Sequence, residues 1–273
     1  MEPKISGFLV HTAKKIRILI LEMANRSKGP HVGSCLSSVE CLTYLYFKEL
    51  NISKENIQLP ERDYFILSKG HAAMALYAAL HFKGIISMDV INGYMQDNGT
   101  LPAHLDRFSS PGIEVSAGAL GHGLSIGLGL AHGMRLRGKD NRVFVLMGDG
   151  ECQEGSVWEA AMMAPKLQLN NLVAIIDYNN LQGYGRPDEL MHFKPLAEKW
   201  KAFGWDVYEA DGHNFTSLDR VFDSTKGSEG PSVVILKTVK GKGVSFMEDK
   251  LKWHYYIVTD EHLHEAKQEI MDA

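Results

Sequence analysis

The sequence predicts an α/β fold, with a layered and largely parallel sheet flanked by helices. Short runs of β-branched and other apolar residues recur along the chain, and segments with helical apolar spacing lie between them. This alternation is typical of βαβ units, whose crossover helices cover the faces of a parallel sheet. The 273 residues contain no internal repeat and no low-complexity linker. Residues 1–273 are therefore expected to form a single domain.

The individual elements follow from periodicity and from the residues that begin and end helices. Five apolar runs are expected to be strands, at residues 63–68, 143–147, 172–176, 205–208 and 233–236. Helical spacing of apolar residues predicts helices at 5–25, 39–50, 72–82, 120–137 and 154–167. Ser37-Ser38-Val39-Glu40 has the form of a capping box ahead of the second helix, and Gly84 is expected to end the third.

Composition argues against several classes of partner. The formal net charge of −4 gives no reason to expect nucleic acid or an anionic membrane surface as a partner. No stretch approaches the roughly 20 apolar residues that span a membrane, and the N-terminus lacks the residue order of a signal peptide. Cys35, Cys41 and Cys152 form no CxxC pair and no metal-binding spacing, so they are expected to be reduced and buried. These features predict a cytoplasmic protein.

Polar residues follow two consecutive strands of the predicted sheet. Asp149 stands between two glycines directly after the strand 143–147, and Asn179 follows the next strand. Because the carboxyl ends of parallel strands share one edge of a sheet, the two side chains are expected to lie close together. Carboxylate and amide oxygens, completed by water and phosphate oxygens, suit Mg²⁺ or the less demanding Ca²⁺.

The segment GDGECQEGSVWEAAMMAPKLQLNNLVAIIDYNN resembles the thiamine-diphosphate motif, which begins with GDG and ends with NN. The resemblance implies the thiamine-diphosphate-binding fold, in its diphosphate-binding domain, with a divalent metal. It also implies that Asp149, Asn179 and the carbonyl oxygen of Leu181 hold the metal. Gly150 would contact the diphosphate of the cofactor, and Glu154 matches an acidic position near the cofactor and a subunit interface.

Four histidines stand in contexts that resemble transketolase. They are His31 in GPHVG, His71 in SKGHA, His104 in PAHLD and His254 after GKGVSFMEDKLKW. The last segment is similar to the N-terminal subunits of two-chain transketolases. In larger single-chain members a glycine follows that histidine, whereas Tyr255 follows it here.

Histidine suits the reaction that this resemblance implies. Transfer of a two-carbon ketol unit from a ketose to an aldose removes a hydroxyl proton and later returns one to an aldehyde oxygen. Imidazole titrates near neutral pH and can do both. The resemblance places His31, His71, His104 and His254 along the donor channel, and which of them carries the proton stays open. By the same resemblance His71, at a helix N-terminus, and His254 would also contact the cofactor. Gly118 and Leu120 would contact the rings of the cofactor.

The resemblance also implies a partner. The pyrimidine-binding part of transketolase, with its activating glutamate, has no counterpart here, so an α2β2 assembly with a separate C-terminal subunit is expected. The substrates would be sugars or sugar phosphates, of unspecified identity. Three alternatives stay open: the α subunit of a 2-oxo acid dehydrogenase, a relative of deoxyxylulose-phosphate synthase, and a non-catalytic cofactor-binding module. Incomplete G-x-G-x-x-G patterns argue against a nicotinamide dehydrogenase.

Overall fold

Five parallel strands form the centre of the computed structural model, which describes residues 1–272. The strands are β1 (Tyr64–Leu67), β2 (Val143–Gly148), β3 (Leu172–Tyr178), β4 (Asp206–Asp211) and β5 (Ser232–Lys237). Their order across the sheet is β1-β2-β3-β5-β4, and every neighbouring pair is parallel. The α/β prediction is therefore confirmed, and the carboxyl ends of all five strands lie along one edge.

Helices cover both faces of this sheet. They are α1 (Pro3–Ser27), α2 (Val32–Leu36), α3 (Val39–Tyr44), α4 (Ala73–Phe82), α5 (Met88–Asn92), α6 (Gly123–Leu136), α7 (Gly155–Lys166), α8 (Pro187–Leu190), α9 (Leu196–Ala202), α10 (Phe215–Thr225) and α11 (Asp260–Asp272). A π-helical turn at Leu45–Glu49 continues α3. Short 3-10 turns at Gly70–Ala72, Gly150–Gln153 and Leu251–His254 lie beside strand ends or close to the C-terminal helix.

Alternate side chains of the central strands enter two separate cores. Phe144 and Leu146 of β2 pack in one core, with residues of α1, α3, α4, α10 and α11. Val145 and Met147 pack in the other core, with residues of α6, α7 and α9. Because both faces of β2 and β3 are buried, these strands are continuous apolar runs and lack the polar alternation of a half-exposed strand.

The capping box predicted ahead of α3 is wrong. Ser37, the expected cap, donates its hydroxyl hydrogen bond to the Asp177 carboxylate at 2.6 Å. Glu40 accepts from the guanidinium of Arg17 and from Nδ1 of His213, and α3 begins without a side-chain cap hydrogen bond. Hydrogen bonds to charged partners are stronger than a neutral cap, so these tertiary contacts take the side chains away from the helix end.

No helix within residues 1–272 combines the length and the apolar character needed to cross a membrane.

Candidate active site

Four strands end at the same edge of the sheet and bring polar side chains to one place. Lys69 and His71 follow β1, Asp149 follows β2, Asn179 follows β3 and Lys240 follows β5. All five residues line a single cavity of about 340 Å³. This is the position at which parallel α/β sheets bind ligands, beyond the carboxyl ends of their strands.

The three predicted metal ligands are neighbours in this cavity. The Asp149 carboxylate accepts hydrogen bonds from the backbone N–H groups of Gly150 at 2.7 Å and Asn180 at 2.6 Å. Those bonds tie the end of β2 to the loop after β3. The Asn179 side-chain oxygen accepts from the Leu181 N–H at 3.1 Å. Asp149, Asn179 and Leu181 all line the cavity, and a carboxylate, an amide oxygen and a carbonyl oxygen are an oxygen donor set suited to Mg²⁺.

The electrostatics of Asp149 also fit a bound cation. Burial, together with the neighbouring Asp177 carboxylate, raises the pKa of Asp149 to about 6. A divalent cation would reverse this effect, since it favours the charged carboxylate. Among residues 1–272 no cluster of three or more His, Cys, Asp or Glu side chains could hold a metal. The predicted metal ligands include only one side chain of these types, Asp149, because the others are the Asn179 amide oxygen and the Leu181 carbonyl oxygen.

Asp177, at the end of β3, orients the side chains around it. Its buried carboxylate accepts from the Lys69 ammonium and the Thr238 hydroxyl, and from the Asn179 amide nitrogen at 3.0 Å. The last bond points the Asn179 oxygen away from Asp177. Burial alone would raise the pKa of Asp177, but the Lys69 charge and the hydroxyl donors outweigh it and hold the pKa below its ordinary value.

Lys240 is a functional candidate that was not identified from the sequence. Its ammonium group, on a side chain that is 1 % exposed, donates to the Leu181 carbonyl at 2.8 Å and contacts Nδ1 of His254 at 2.6 Å. Burial lowers the pKa of Lys240 to about 8, so the group is still largely charged at neutral pH. Because Nδ1 of His254 then accepts, a neutral His254 carries its proton on Nε2.

The four histidines singled out in the sequence form one cluster. The ring centroid of His31 lies 4.8 Å from that of His71, 5.1 Å from His254 and 6.0 Å from His104. His71 and His104 are 4.8 Å apart. His71 and His254 line the cavity directly, and His31 and His104 lie against them.

Most of this cluster is uncharged at neutral pH. Burial lowers the pKa of His31 to about 4, and the rings of His71 and His104 add to the effect. Burial, followed by the Lys240 charge, lowers the pKa of His254 to about 3. The pKa of His71 is also lowered, chiefly by burial. Neutral imidazoles can accept protons and hydrogen-bond to hydroxyl groups, which suits a sugar site.

The other predicted cofactor contacts lie around the same space. Leu120, Gly150 and Glu154 line the cavity. Gly118 lies beside the His104 ring, which is 3.4 Å from the point where a Cβ on residue 118 would stand. The backbone of Ala117 and Gly118 also packs closely on Gly70. A Cβ on residue 70 would come within 2.7 Å of the Ala117 carbonyl group, so a glycine is needed there.

Two glutamines show that the cavity has unused hydrogen-bonding capacity. The side-chain nitrogens of Gln153 and Gln182 are buried and have no hydrogen-bond partner among the described residues. Both residues line the cavity. Buried polar atoms are rarely left unpaired, so these donors favour an oxygen-rich ligand. With Lys69 and Lys240 nearby, the residues present fit a diphosphate and its divalent metal.

Several supporting residues were also not identified from the sequence, although the strand ends offered a signal. Glu151 is 2 % exposed and accepts from the N–H groups of Gly121 at 2.9 Å and Gly148 at 3.1 Å. It therefore joins the loop before α6 to the end of β2. Lys69 and Lys240 follow β1 and β5, so their position behind two predicted strands was the signal in the sequence.

The fold and the cavity define a class: a parallel α/β domain that presents oxygen donors and lysine ammonium groups at the ends of adjacent strands. Comparison with known proteins agrees. Residues 10–271 match the family model described as "Transketolase, thiamine diphosphate binding domain". The chain therefore belongs to the transketolase family, whose members transfer ketol groups, and this match supports thiamine diphosphate as its cofactor.

Individual relatives point the same way. The chain is 41 % identical over 261 residues to one subunit of the apulose-4-phosphate transketolase of Phocaeicola vulgatus, covering 95 % of this chain and 92 % of that protein. It is 41 % identical over 254 residues to the 6-deoxy-6-sulfo-D-fructose transketolase subunit SqwG of a Clostridium species. This match covers 93 % of this chain and 92 % of that protein. These relatives confirm the prediction of an N-terminal transketolase subunit over its alternatives.

Solved structures show the same fold. Transketolase from Leishmania mexicana superimposes with a TM-score of 0.90 at 27 % identity, covering 96 % of this chain and 41 % of that one.

Proposed function

We propose that this chain transfers a two-carbon ketol unit from a ketose donor to an aldose acceptor, as the diphosphate-binding subunit of a two-chain transketolase. The observation that carries this proposal is the juxtaposition of two groups in one cavity. The oxygen donors Asp149, Asn179 and Leu181 stand beside the cluster of His31, His71, His104 and His254. The first group suits a metal diphosphate and the second suits a polyhydroxylated substrate.

The cofactor site would be built from the segments that follow four strands, β1, β2, β3 and β5. Asp149, Asn179 and the Leu181 carbonyl would bind Mg²⁺ or Ca²⁺, and Gly150, Glu154, Lys69 and Lys240 would surround the diphosphate. Gly118 and Leu120 would contact the cofactor rings. Bound thiamine diphosphate would supply the nucleophilic carbon that adds to the ketose carbonyl. Lys240 contacts both Leu181 and His254, so it would couple the metal side of the cavity to the substrate side.

The histidine cluster would move the protons. As the bond between C2 and C3 of the donor breaks, its C3 hydroxyl loses a proton, and a neutral imidazole can accept it. The same cluster returns a proton to the oxygen of the acceptor aldehyde. His254 carries its proton on Nε2, because Nδ1 faces Lys240. His254 can therefore donate a hydrogen bond to a sugar oxygen. His31 and His71 are neutral at about pH 7 and can accept a proton.

A second chain would complete the enzyme. The relatives named above are called subunits, which supports a separate pyrimidine-binding partner and, in our proposal, an α2β2 assembly of two copies of each chain. The names of these relatives include apulose 4-phosphate and 6-deoxy-6-sulfo-D-fructose. We therefore place both among the candidate donors, beside xylulose 5-phosphate. We also propose that residues 1–273 are one domain of a cytoplasmic protein, without a nucleic-acid or membrane partner.

Reconstitution tests this function. The chain is mixed with the proposed pyrimidine-binding subunit, thiamine diphosphate and Mg²⁺, and transfer from each donor to ribose 5-phosphate is measured. We expect activity only in the complete mixture, and loss of at least about a hundredfold in Asp149→Ala, because the metal loses its one charged ligand. The matched control is Asp97→Ala, which removes an exposed carboxylate outside the cavity and should retain full activity.

The outcomes separate the parts of the proposal. Transfer by this chain without any partner would contradict the two-chain assembly. A stable complex that binds the cofactor but transfers nothing from any donor would contradict the proposed reaction and leave the cofactor site intact. Light scattering on the same mixture measures stoichiometry, and a mass other than that of two copies of each chain would exclude α2β2.

A further inference from the structure

Tyr255 stands at the mouth of the cavity, directly against the histidine cluster. Its ring centroid lies 4.5 Å from that of His254 and 5.9 Å from that of His31. The side chain lines the cavity and is still 55 % exposed, so one side of the ring faces the histidines and the other faces solvent.

The loop after β3 makes room for the tyrosine. The Tyr255 hydroxyl lies 2.9 Å from the point where a Cβ on Gly183 would stand, so a larger residue at 183 would displace it. The neighbouring Tyr184 also lines the cavity, and it is 81 % exposed. Its turn is closed by the hydrogen bond from the Gln182 N–H to the Gly185 carbonyl at 3.0 Å.

An ion pair holds this turn in place. The guanidinium of Arg186 donates to the Asn180 carbonyl at 3.2 Å and to the Asp249 carboxylate at 2.7 Å. The turn that carries Tyr184 is thereby tied to the end of β3 on one side and to the segment before Trp253 on the other. Tyr255 and Tyr184 therefore form a polar and aromatic rim at the edge of the cavity, with Tyr255 against the histidines.

The position of the rim decides which part of a sugar it can meet. If the reacting carbons lie between the histidines and the metal donors, the remaining carbons must extend toward the mouth. There a phenol offers a hydroxyl that both donates and accepts, and a flat face that packs against carbon. We propose that Tyr255, supported by Tyr184, is a specificity-determining residue that contacts the hydroxylated carbons of the substrate beyond the two that are transferred. This inference rests on the function proposed above.

The test uses the reconstituted two-chain complex and the same donor panel. Removing the hydroxyl in Tyr255→Phe is expected to raise the KM of the preferred donor about threefold to tenfold with little change in kcat, as for the loss of one uncharged hydrogen bond. Removing the ring in Tyr255→Gly is expected to change the ratio of kcat/KM between the smallest and largest donors by about tenfold, in favour of the largest.

The next residue in the chain provides the control. Tyr256 is similarly exposed, but it packs on Trp253, with ring centroids 5.3 Å apart, and does not line the cavity. Tyr256→Phe should leave KM and donor preference unchanged. Thiamine diphosphate titrations of every variant distinguish a substrate contact from a damaged site, because cofactor affinity should match the wild type.

Unchanged KM values and donor ratios in both Tyr255 variants, with an active wild-type complex, would overturn the inference alone. Absence of transfer by the wild-type complex would overturn the proposed function and this inference with it. Equal loss of cofactor affinity and activity in the Tyr255 variants would also overturn the inference, because it would show a structural role.

Discussion

His31 is the residue at which backbone strain and site geometry coincide. Its φ of 72° lies in the left-handed region that non-glycine residues seldom adopt, at a cost of about 1–3 kcal/mol. The N–H of His31 donates to the His254 carbonyl at 2.9 Å, so the two residues are joined by the backbone as well as by their rings. The strained turn thus places one imidazole at the centre of the cluster.

The depressed pKa values of this cluster predict a pH-dependent stability. His31 and His254 stay neutral in the native protein down to about pH 4 and about pH 3. In the unfolded chain a histidine takes up its proton near pH 6.5. Since the unfolded state binds more protons below that point, the free energy of unfolding should fall as the pH is lowered from about 7 to about 5.

Urea unfolding at several pH values measures the slope of the free energy of unfolding against pH. His31→Asn should reduce it, since asparagine does not titrate and accepts a positive φ. His264→Asn, on an exposed position of α11, is the matched control and should leave the slope as in the wild type. If wild type and His31→Asn had the same slope, the low pKa of His31 would not contribute to the pH dependence.

At the scale of elements, the packing of α6 on the sheet depends on one glycine. A Cβ on Gly127 would overlap Cγ2 of Val145 in β2, so the helix approaches the strand more closely than an alanine would permit. On the outer side of the same helix, a Cβ on Gly133 would meet nothing within 4 Å. The two glycines therefore have different structural roles in one element.

The same substitution at these two positions should have opposite effects. Gly127→Ala should lower the free energy of unfolding of the isolated chain by about 1–3 kcal/mol through overpacking. Gly133→Ala should raise it by about 0.5–1 kcal/mol, since alanine favours the helix and meets no neighbour. Denaturant unfolding of both variants measures the difference, and equal effects of the same sign would contradict the close approach at Gly127.

At the scale of the whole molecule, the cavity joins segments that are far apart in the chain. Lys69 pairs with Asp177 across 108 residues, and Lys240 reaches Leu181 across 59. The sheet edge therefore holds several charged groups together at the place where the cofactor is expected. A ligand that bridges these groups should stabilise the folded state as a whole.

Thermal unfolding of the chain alone tests that coupling. Thiamine diphosphate with Mg²⁺ at about a hundred times its Kd should add about 2.7 kcal/mol and raise Tm by several degrees. EDTA should abolish the shift, as should Asp149→Ala, whereas Asp97→Ala should keep it. A shift that persists in EDTA would show that binding does not require the predicted metal.

Much of the fold was predictable because its signals are local. The strands β2 and β3 are apolar runs bounded by polar residues, and the long helices follow a period that a few turns suffice to display. The glycines around Asp149 and the position of Asn179 after the next strand indicated one sheet edge for the predicted metal ligands. The capping box failed because Ser37 and Glu40 bind partners distant in the chain.

The sequence by itself determined the class of fold and predicted that polar residues after β2 and β3, together with four histidines, would lie at one site. Only the tertiary structure decided how closely these histidines pack, that Lys240 contacts His254 and Leu181, that Asp177 binds the Asn179 amide group, and that Tyr255 stands at the mouth. The physical reason is the range of the interactions. Periodicity and turn residues are encoded within a few positions, whereas the strand order β1-β2-β3-β5-β4 depends on packing across the whole chain.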